Sequence, residues 1–338
     1  KRSFIYVSKR KTIVARLLNY FSFVGTSFLA GLRMKGDWDF ILCESPPLFL
    51  GFSAVWLARI KKTKLIFNVS DLWPESAEKL GIVTNKSLLN LAYKLEKWCY
   101  QNSVLVTGQT QGIVASINQR FPEVSTYWLP NGVDLGFYNP EKSPAEWRQK
   151  KGFESTDLII GYAGILGHAQ GLELMVEAAE KLQDQTALKF VLVGEGPEKE
   201  KLQTLILGKL LSNIRLFNGV AKAEMPAVVA SFDVAFIPLR KLELFKGAIP
   251  SKIFENLAMK KPIVLGVDGE AKELFIDQGK CGWFYEPENL NALVNTLKQV
   301  QSEKTQFQEI GERARTYVSL HFERNNIALA LHNRLSEV

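Results

Sequence analysis

The chain has few of the residues that announce a metal or redox centre. Its 338 residues include three cysteines, Cys43, Cys99 and Cys281. They are scattered, with neither metal-ligand spacing nor a disulfide framework, which fits a reducing cytoplasm. Histidine is as scarce, also at three residues, and no metal site is expected. Long hydrophobic runs are missing. The longest uncharged stretch, Leu17 to Leu32, is 16 residues and contains Asn19, Ser22, Thr26 and Ser27. That is short of the roughly 20 apolar residues a spanning helix needs. It suits a core helix or an amphipathic helix lying on a bilayer. There is no signal-peptide pattern, no low-complexity run and no nucleic-acid-binding signature, so no nucleic-acid partner is expected. Carboxylates are absent from the start: between Lys1 and Gly36 eight basic residues stand unopposed, in a chain of formal net charge +7. Such a segment favours an anionic partner, here a membrane surface or a phosphorylated substrate.

What is present is the composition of a soluble globular protein, 46% hydrophobic and 23% charged, long enough for two domains. Strand-like apolar runs fall at Phe40–Cys43, Leu65–Val69, Val104–Thr107 and Thr126–Leu129. In the second half they fall at Leu158–Tyr162, Lys189–Val193, Ile214–Phe217, Val234–Ile237, Pro262–Gly266 and Gly282–Tyr285. Helix-length segments separate them, which predicts parallel sheets covered by helices. The polar stretch Asn139 to Thr156 interrupts the pattern and reads as a linker. The expected layout is a first domain over 1–138, a linker over 139–156, a second domain over 157–305 and closing helices over 306–338. One opening feature is missing: "KRSFIYVSKRK" lacks the strand and Gly-rich turn with which a doubly wound domain starts, so the first domain reads as lacking its opening βα unit.

Candidate chemistry sits at strand ends. A buried strand runs into Gly161–Gly164, and a loop with Gly164, Gly167 and Gly171 leads into an amphipathic helix. Such a turn brings backbone N–H groups close to an anion, and a diphosphate is the natural guest. His168 lies in that loop, where it can donate to a phosphate or sugar hydroxyl or simply be solvated. Gly194-Glu195-Gly196-Pro197 is a second strand-to-helix turn. In "IPSKIFENLAMKKPIV", Ser251 is expected to cap a helix. A capping box asks for Glu or Gln at 254, where Phe254 stands. Glu255 is therefore free for other work. Lys252 suits a phosphate and Glu255 two vicinal hydroxyls, unless the two form a surface ion pair worth a few tenths of a kcal/mol. In the first half, Asp71 follows a strand C-terminus, where open α/β sheets place ligands. Trp73 beside it suits stacking on a sugar or packing of the loop, and Pro74 and Glu75 open a helix.

The succession of the Gly-rich loop, "VLVGEGP", "NGVDLGFYNP", "IPSKIFENLAMKKPIV" and "GWFYEPEN" resembles family 4 retaining glycosyltransferases. "DLWPESAEKLGI" and "SPPLFLG" are similar to the subgroup with fucosamine and colanic-acid transferases of bacterial surface polysaccharide. The resemblance implies a GT-B fold of two Rossmann-like doubly wound parallel-sheet domains facing a cleft. It implies transfer of a hexose or N-acetylhexosamine from a UDP-sugar, UDP-glucose first, to a lipid-linked glycan acceptor. No metal or other cofactor is implied, and the expected location is the inner face of the plasma membrane, held peripherally by the basic N-terminal region. Glu255 matches the second glutamate of the family's Glu-x7-Glu motif, and the first falls on Gly247. The basic residues usual after the first Gly-rich strand fall near Ile165 and Gln170, so diphosphate binding leans on backbone N–H groups, Lys252 and Lys246. The expected donor site is Gly164, Gly167, His168, Gly194, Lys246, Gly247, Ser251, Lys252, Ile253 and Glu255. Asp71, Glu75 and Lys252 are the expected catalytic residues. Two other classes stay open: an inactive nucleotide-sugar-binding scaffold, and a nicotinamide-dependent dehydrogenase using Glu195 on a ribose, although Gly161, Gly164 and Gly167 do not form its G-x-G-x-x-G fingerprint.

Overall fold

A computed structural model describes residues 2–7, 13–79, 81, 83–142 and 146–338. Lys1, Lys9, Arg10 and Lys11 of the basic run, and residues 143–145 of the polar stretch, lie outside these. The chain divides into two compact units: residues up to Pro130 together with Leu331–Val338, and Asn131–Ala330.

The first unit has a parallel sheet of β1 (Phe40–Ser45), β2 (Lys64–Val69), β3 (Leu105–Gly108) and β4 (Thr126–Trp128), in sequence order. Its helices are α1 (Ile13–Leu32), α2 (Leu50–Lys61), α3 (Glu75–Lys79), α4 (Lys86–Gln101) and α5 (Gln111–Arg120). Successive right-handed crossovers in one direction put α2, α4 and α5 on one face of the sheet. Strand alternation therefore aims Cys43, Leu65, Phe67 and Val106 at Ala54, Val55, Leu95 and Cys99, which form the core. The helices α2 and α4 approach so closely at Gly51 that a Cβ there would meet Cys99 Sγ at 2.3 Å. This sheet carries one winding of the two that a doubly wound domain has.

The second unit has β5 (Leu158–Ala163), β6 (Leu188–Val193), β7 (Ile214–Phe217), β8 (Val234–Pro238), β9 (Ile263–Gly266) and β10 (Gly282–Phe284). All pairs are parallel, in the order β10-β9-β8-β5-β6-β7. Winding reverses between β5 and β8, and that switch point is where open α/β sheets bind ligands. The helices are α6 (Glu146–Lys150), α7 (Glu173–Lys181), α8 (Lys199–Gly208), α9 (Met225–Ala230) and α10 (Lys252–Ala258). They continue with α11 (Glu270–Lys272, running into a π turn, Glu273–Gln278), α12 (Leu290–Ser302), α13 (Phe307–Phe322) and α14 (Arg324–Ser336). Ile160, Phe190 and Leu192 pack under Met175, Val176 and Leu202 on one face. Ile159, Val191 and Val193 pack on Val228 and Phe232 on the other.

The stretch read as a linker is built into this second unit. Trp147 meets Phe217 edge-on at 5.1 Å, and Arg148 bridges the Asp233 carboxylate at 3.1 Å and the Glu154 carbonyl at 2.9 Å. The division between units falls before it, at Pro130. Its polar composition hides two anchoring side chains, which is why it reads as a linker. Of the closing helices, α13 buries Ile310, Ala314, Val318 and Phe322, while Leu331–Val338 group with the first unit.

Candidate functional site

β5 is apolar up to Gly161, then delivers Tyr162 and Gly164 to the switch point. The Gly164–Gly171 loop is held from two sides. Leu166 donates to Glu195 O at 2.9 Å and Glu198 N to Leu166 O at 3.0 Å. From β8, the Arg240 amide donates to Ala169 O at 2.9 Å, and its Nε to His168 O at 2.7 Å. The amides of Ile165 and Gly167 have no partner among the described residues. Gly194 serves the packing of this loop: a Cβ there would lie 1.9 Å from Gly164 O. The close approach of Gly194 to the loop is thus structural, whatever ligand the loop receives. His168 opens a short 3-10 turn, with Nδ1 2.5 Å from the Glu198 carboxylate and its ring largely exposed. Nε2 is left as the ring nitrogen able to reach a ligand.

α10 places Lys252 and Glu255 beside this loop. Ile253, Phe254 and Leu257 are buried, and Phe254 packs against Phe275 and Phe322 at 5.5 and 5.0 Å. Helical spacing then turns Lys252 and Glu255 the other way. Lys252 Nζ lies 3.7 Å from the centroid of the Tyr162 ring, and a Cβ on Gly164 would be 3.0 Å from it. The glycine is therefore the neighbour that lets the ammonium lie against the loop. Desolvation pulls the Lys252 pKa down to about 7, opposed by the Glu255 charge. Among the described residues Lys252 forms no salt bridge, and its ammonium is desolvated by burial, so the two residues are not the surface ion pair that their spacing also permitted. Tyr138 donates its phenol hydrogen bond to the Glu255 carboxylate, whose pKa desolvation raises; Tyr138, Lys252, Lys222 and Arg324 oppose the rise. Sequence reasoning missed Tyr138, Tyr162, Lys222 and Arg324. Only Tyr138 left a usable trace, inside "NGVDLGFYNP".

Three expected contacts need correction. Ser251 makes no capping hydrogen bond: it already has helical φ and ψ, because the turn starts at Pro250, whose carbonyl accepts from Ile253 N at 3.0 Å. Ile253 has no exposed surface and its amide is used in that bond, so it presents nothing to a ligand. Gly247 has nothing within 4 Å of an added Cβ, so no close approach explains the glycine. Lys246 pairs with Glu243 at 2.9 Å. It borders a cavity of about 220 Å³ at the carboxyl ends of β8 and β9, lined also by Arg240, Lys241, Phe245 and Asp268. Arg240, bound to Glu173 at 2.5 Å and Glu288 at 3.0 Å, spans from this cavity to the loop. Glu195, the acid a dehydrogenase would need, is taken by Lys199 at 2.7 Å and by the Gly219 amide at 3.2 Å.

In the first unit, Asp71 follows β2 and accepts from Ser76 Oγ. Trp73 packs edge-on against Phe49 at 5.7 Å, holding the loop. Glu75 is held by Lys79 at 2.6 Å. Beside them is a polar chain at the carboxyl ends of three strands: Thr107 donates to Asn68 at 2.6 Å, Asn68 and Ser70 to Glu44, and Gln109 to Ser70 at 2.8 Å. Desolvation lifts the Glu44 carboxyl above its usual range, opposed by the bond from Asn68. Among the described residues no cluster of His, Cys, Asp and Glu is arranged to hold a metal. The three cysteines are free and buried, and burial pushes the Cys43 and Cys281 thiols up to about 12.

Known proteins share this fold. A family profile described as glycosyl transferases group 1 matches residues 143–317, more than half of the chain. Over 308 residues, 87% of this chain and 74% of the relative, the sequence is 24% identical to WcaI of Escherichia coli strain K12, by name a colanic acid biosynthesis glycosyl transferase. Among solved structures, Anabaena HepE in complex with UDP-glucose superposes with a TM-score of 0.75 at 18% identity, covering 97% of this chain and 84% of that one. Sucrose-phosphate synthase from Thermosynechococcus elongatus gives 0.76 at 16% identity, covering 98% and 80%.

Proposed function

The chain belongs to the glycosyl transferases group 1 family and has the GT-B fold, and from that premise we propose that it transfers a hexose or N-acetylhexosamine from a UDP-sugar, UDP-glucose first, to a lipid-linked glycan in the synthesis of a surface polysaccharide. The name of WcaI and the UDP-glucose bound to HepE support this reading. The observation that carries it is the junction of the Gly164 loop with α10. Free amides, a lysine and a carboxylate meet at a sheet switch point, which matches the amide, cation and acceptor needs of a diphosphate and a ribose.

In this reading Glu255, oriented by Tyr138, accepts from the ribose hydroxyls. The amides of Ile165 and Gly167 and the Lys252 ammonium hold the diphosphate. As the bond to the sugar breaks, negative charge gathers on the departing diphosphate, and a cation in a desolvated place stabilises it more than water does. Transfer proceeds with retention at the front face, without an enzyme nucleophile and without a metal. Asp71 orients or partly deprotonates the acceptor hydroxyl, or stabilises the positive sugar centre. The protein works peripherally at the inner face of the plasma membrane. No helix among the described residues is long and apolar enough to cross one.

The test is to soak UDP-glucose, UDP-galactose and UDP-N-acetylglucosamine into crystals. A ribose ordered beside Glu255, with the diphosphate at Lys252, supports the assignment. A nucleotide lodged elsewhere would remove its basis.

A further inference from the structure

The first unit carries an apolar outer layer that its own core does not use. α2 buries Ala54, Val55 and Ala58, while Phe52, Trp56, Arg59 and Ile60 stand on the opposite side at helical spacing. Trp56 is 49% exposed and Ile60 53%. α2 is flanked on both sides. Ser53 Oγ donates to Val24 O of α1 at 2.6 Å, and Phe21 of α1 meets Phe49 at 5.2 Å. On the other side Phe52 meets Trp98 of α4 at 5.7 Å. The neighbours repeat the pattern. α1 exposes Leu18, Phe21 and Leu29, and α4 exposes Leu88 and Leu91.

The exposed charges that α2 and α4 themselves carry have one sign, with Glu78 of α3 bound at the edge by Tyr93 of α4 at 2.5 Å. α1 and α2 contain no acidic residue. The one carboxylate of α4, Glu96, is fully buried against Arg120. Arg59 lies 5.4 Å from the Trp56 ring and 5.8 Å from the Trp98 ring, and one of its Nη groups donates to Asn102 at 2.5 Å. Lys94 and Lys97 are exposed on α4. A water-facing helix of a monomeric domain normally mixes signs and avoids such an apolar patch. Exposed tryptophans beside arginine and lysine, on helices that lie flat, fit the boundary between lipid headgroups and acyl chains, where the rings are amphipathic and the cations meet phosphates.

We propose that the outer face of α1, α2 and α4 is a docking surface for the anionic face of a lipid bilayer, with Phe52, Trp56, Ile60 and Leu91 entering the headgroup boundary and Arg59 and Lys94 contacting lipid phosphates. This rests on the membrane-associated reading above and moves its contact surface from the basic N-terminal run to the helical layer.

The test is co-sedimentation of the whole protein with vesicles of phosphatidylcholine, alone and with phosphatidylglycerol added. Tryptophan emission serves as a second readout. The expected result is binding that rises with phosphatidylglycerol and a blue-shifted emission. Trp56→Ser/Ile60→Ser/Leu91→Ser should bind on the order of tenfold more weakly. Arg59→Gln/Lys94→Gln should lose the phosphatidylglycerol dependence, again on the order of tenfold. Both variants change exposed side chains, and unaltered melting temperatures check that they fold. Undiminished vesicle binding in both would overturn the proposal. So would a wild type that is a dimer by light scattering and a triple variant that is a monomer, which would give the surface to a second copy. UDP binding, measured in parallel, separates this from the transferase reading: its loss would sink that reading alone.

Discussion

Lys252 is the residue whose chemistry is most exposed to test. Its pKa sits at about 7 because its surroundings strip water from the ammonium faster than Glu255 replaces that stabilisation. The unfolded chain keeps an ordinary lysine. Between about pH 7 and the usual lysine range the unfolded state therefore holds the extra proton, and this group makes folding more favourable as pH rises. An arriving diphosphate reverses the balance and recharges the amine. Binding of UDP should consequently take up a proton above pH 7, and affinity should fall as pH rises past 7. Calorimetry at pH 8 in two buffers of different ionisation enthalpy measures this, since the terminal phosphate of UDP is already deprotonated there. Most of one proton is expected for the wild type and none for Lys252→Met; no uptake in the wild type would place the lysine outside the diphosphate site. Tyr138→Phe removes one hydrogen bond to Glu255 and should weaken UDP by several-fold, about 1 kcal/mol. At this scale the sequence was half legible. The missing capping box marked Glu255 as free of a local duty, and the place of Lys252 at a helix start suited a phosphate. Lys222 and Arg324 come from distant segments, and nothing local marks them, while Tyr162 at the end of a buried strand reads as core.

Among elements, loop and helix are positioned by contacts between backbones, and glycines set the tolerance. A methyl on Gly194 would sit 1.9 Å from the Gly164 carbonyl, a backbone atom. Gly194→Ala should cost about 1–3 kcal/mol of stability and displace the diphosphate loop, lowering UDP affinity in the same protein. Gly247→Ala should leave stability within about 0.5 kcal/mol of wild type, because nothing approaches its side. Differential scanning fluorimetry with and without UDP reads both. If the two behave alike, close packing does not set the loop. α10 is fixed in turn by α13: Gly311 lies against the Lys260 carbonyl, where a Cβ would stand 2.3 Å away, and Arg315 donates to Tyr138 O at 3.2 Å and to Ala258 O. The parallel strands were readable because each is a short apolar run between helical patterns. The role of α13 was not readable, because an amphipathic helix does not state which element it holds. Ser251 misled for a local reason: Pro250 starts the turn one residue early.

For the molecule as a whole, the reading proposed above places nucleotide and acceptor on separate units, and each unit has its own polar residues for the task. The second unit holds Glu255 and Lys252; the first holds Asp71 and Glu44. That partition predicts separable defects. Charge-assisted hydrogen bonds contribute about 1.5–3 kcal/mol each, so Glu255→Ala should weaken UDP by roughly tenfold to a hundredfold. At a concentration of UDP one hundred times the wild-type Kd, the ligand adds about 2.7 kcal/mol to stability. For a variant weakened a hundredfold the same concentration adds only about 0.4 kcal/mol, so the thermal shift should nearly vanish. Asp71→Ala should keep the full UDP shift, because Asp71 and its partner Ser76 both belong to the first unit, and should lower the rate of sugar transfer. Loss of the UDP shift in Asp71→Ala with its retention in Glu255→Ala would exchange the roles of the two units. Loss in both would mean that the nucleotide site depends on both units together, and the assignment of donor binding to the second unit alone would fail.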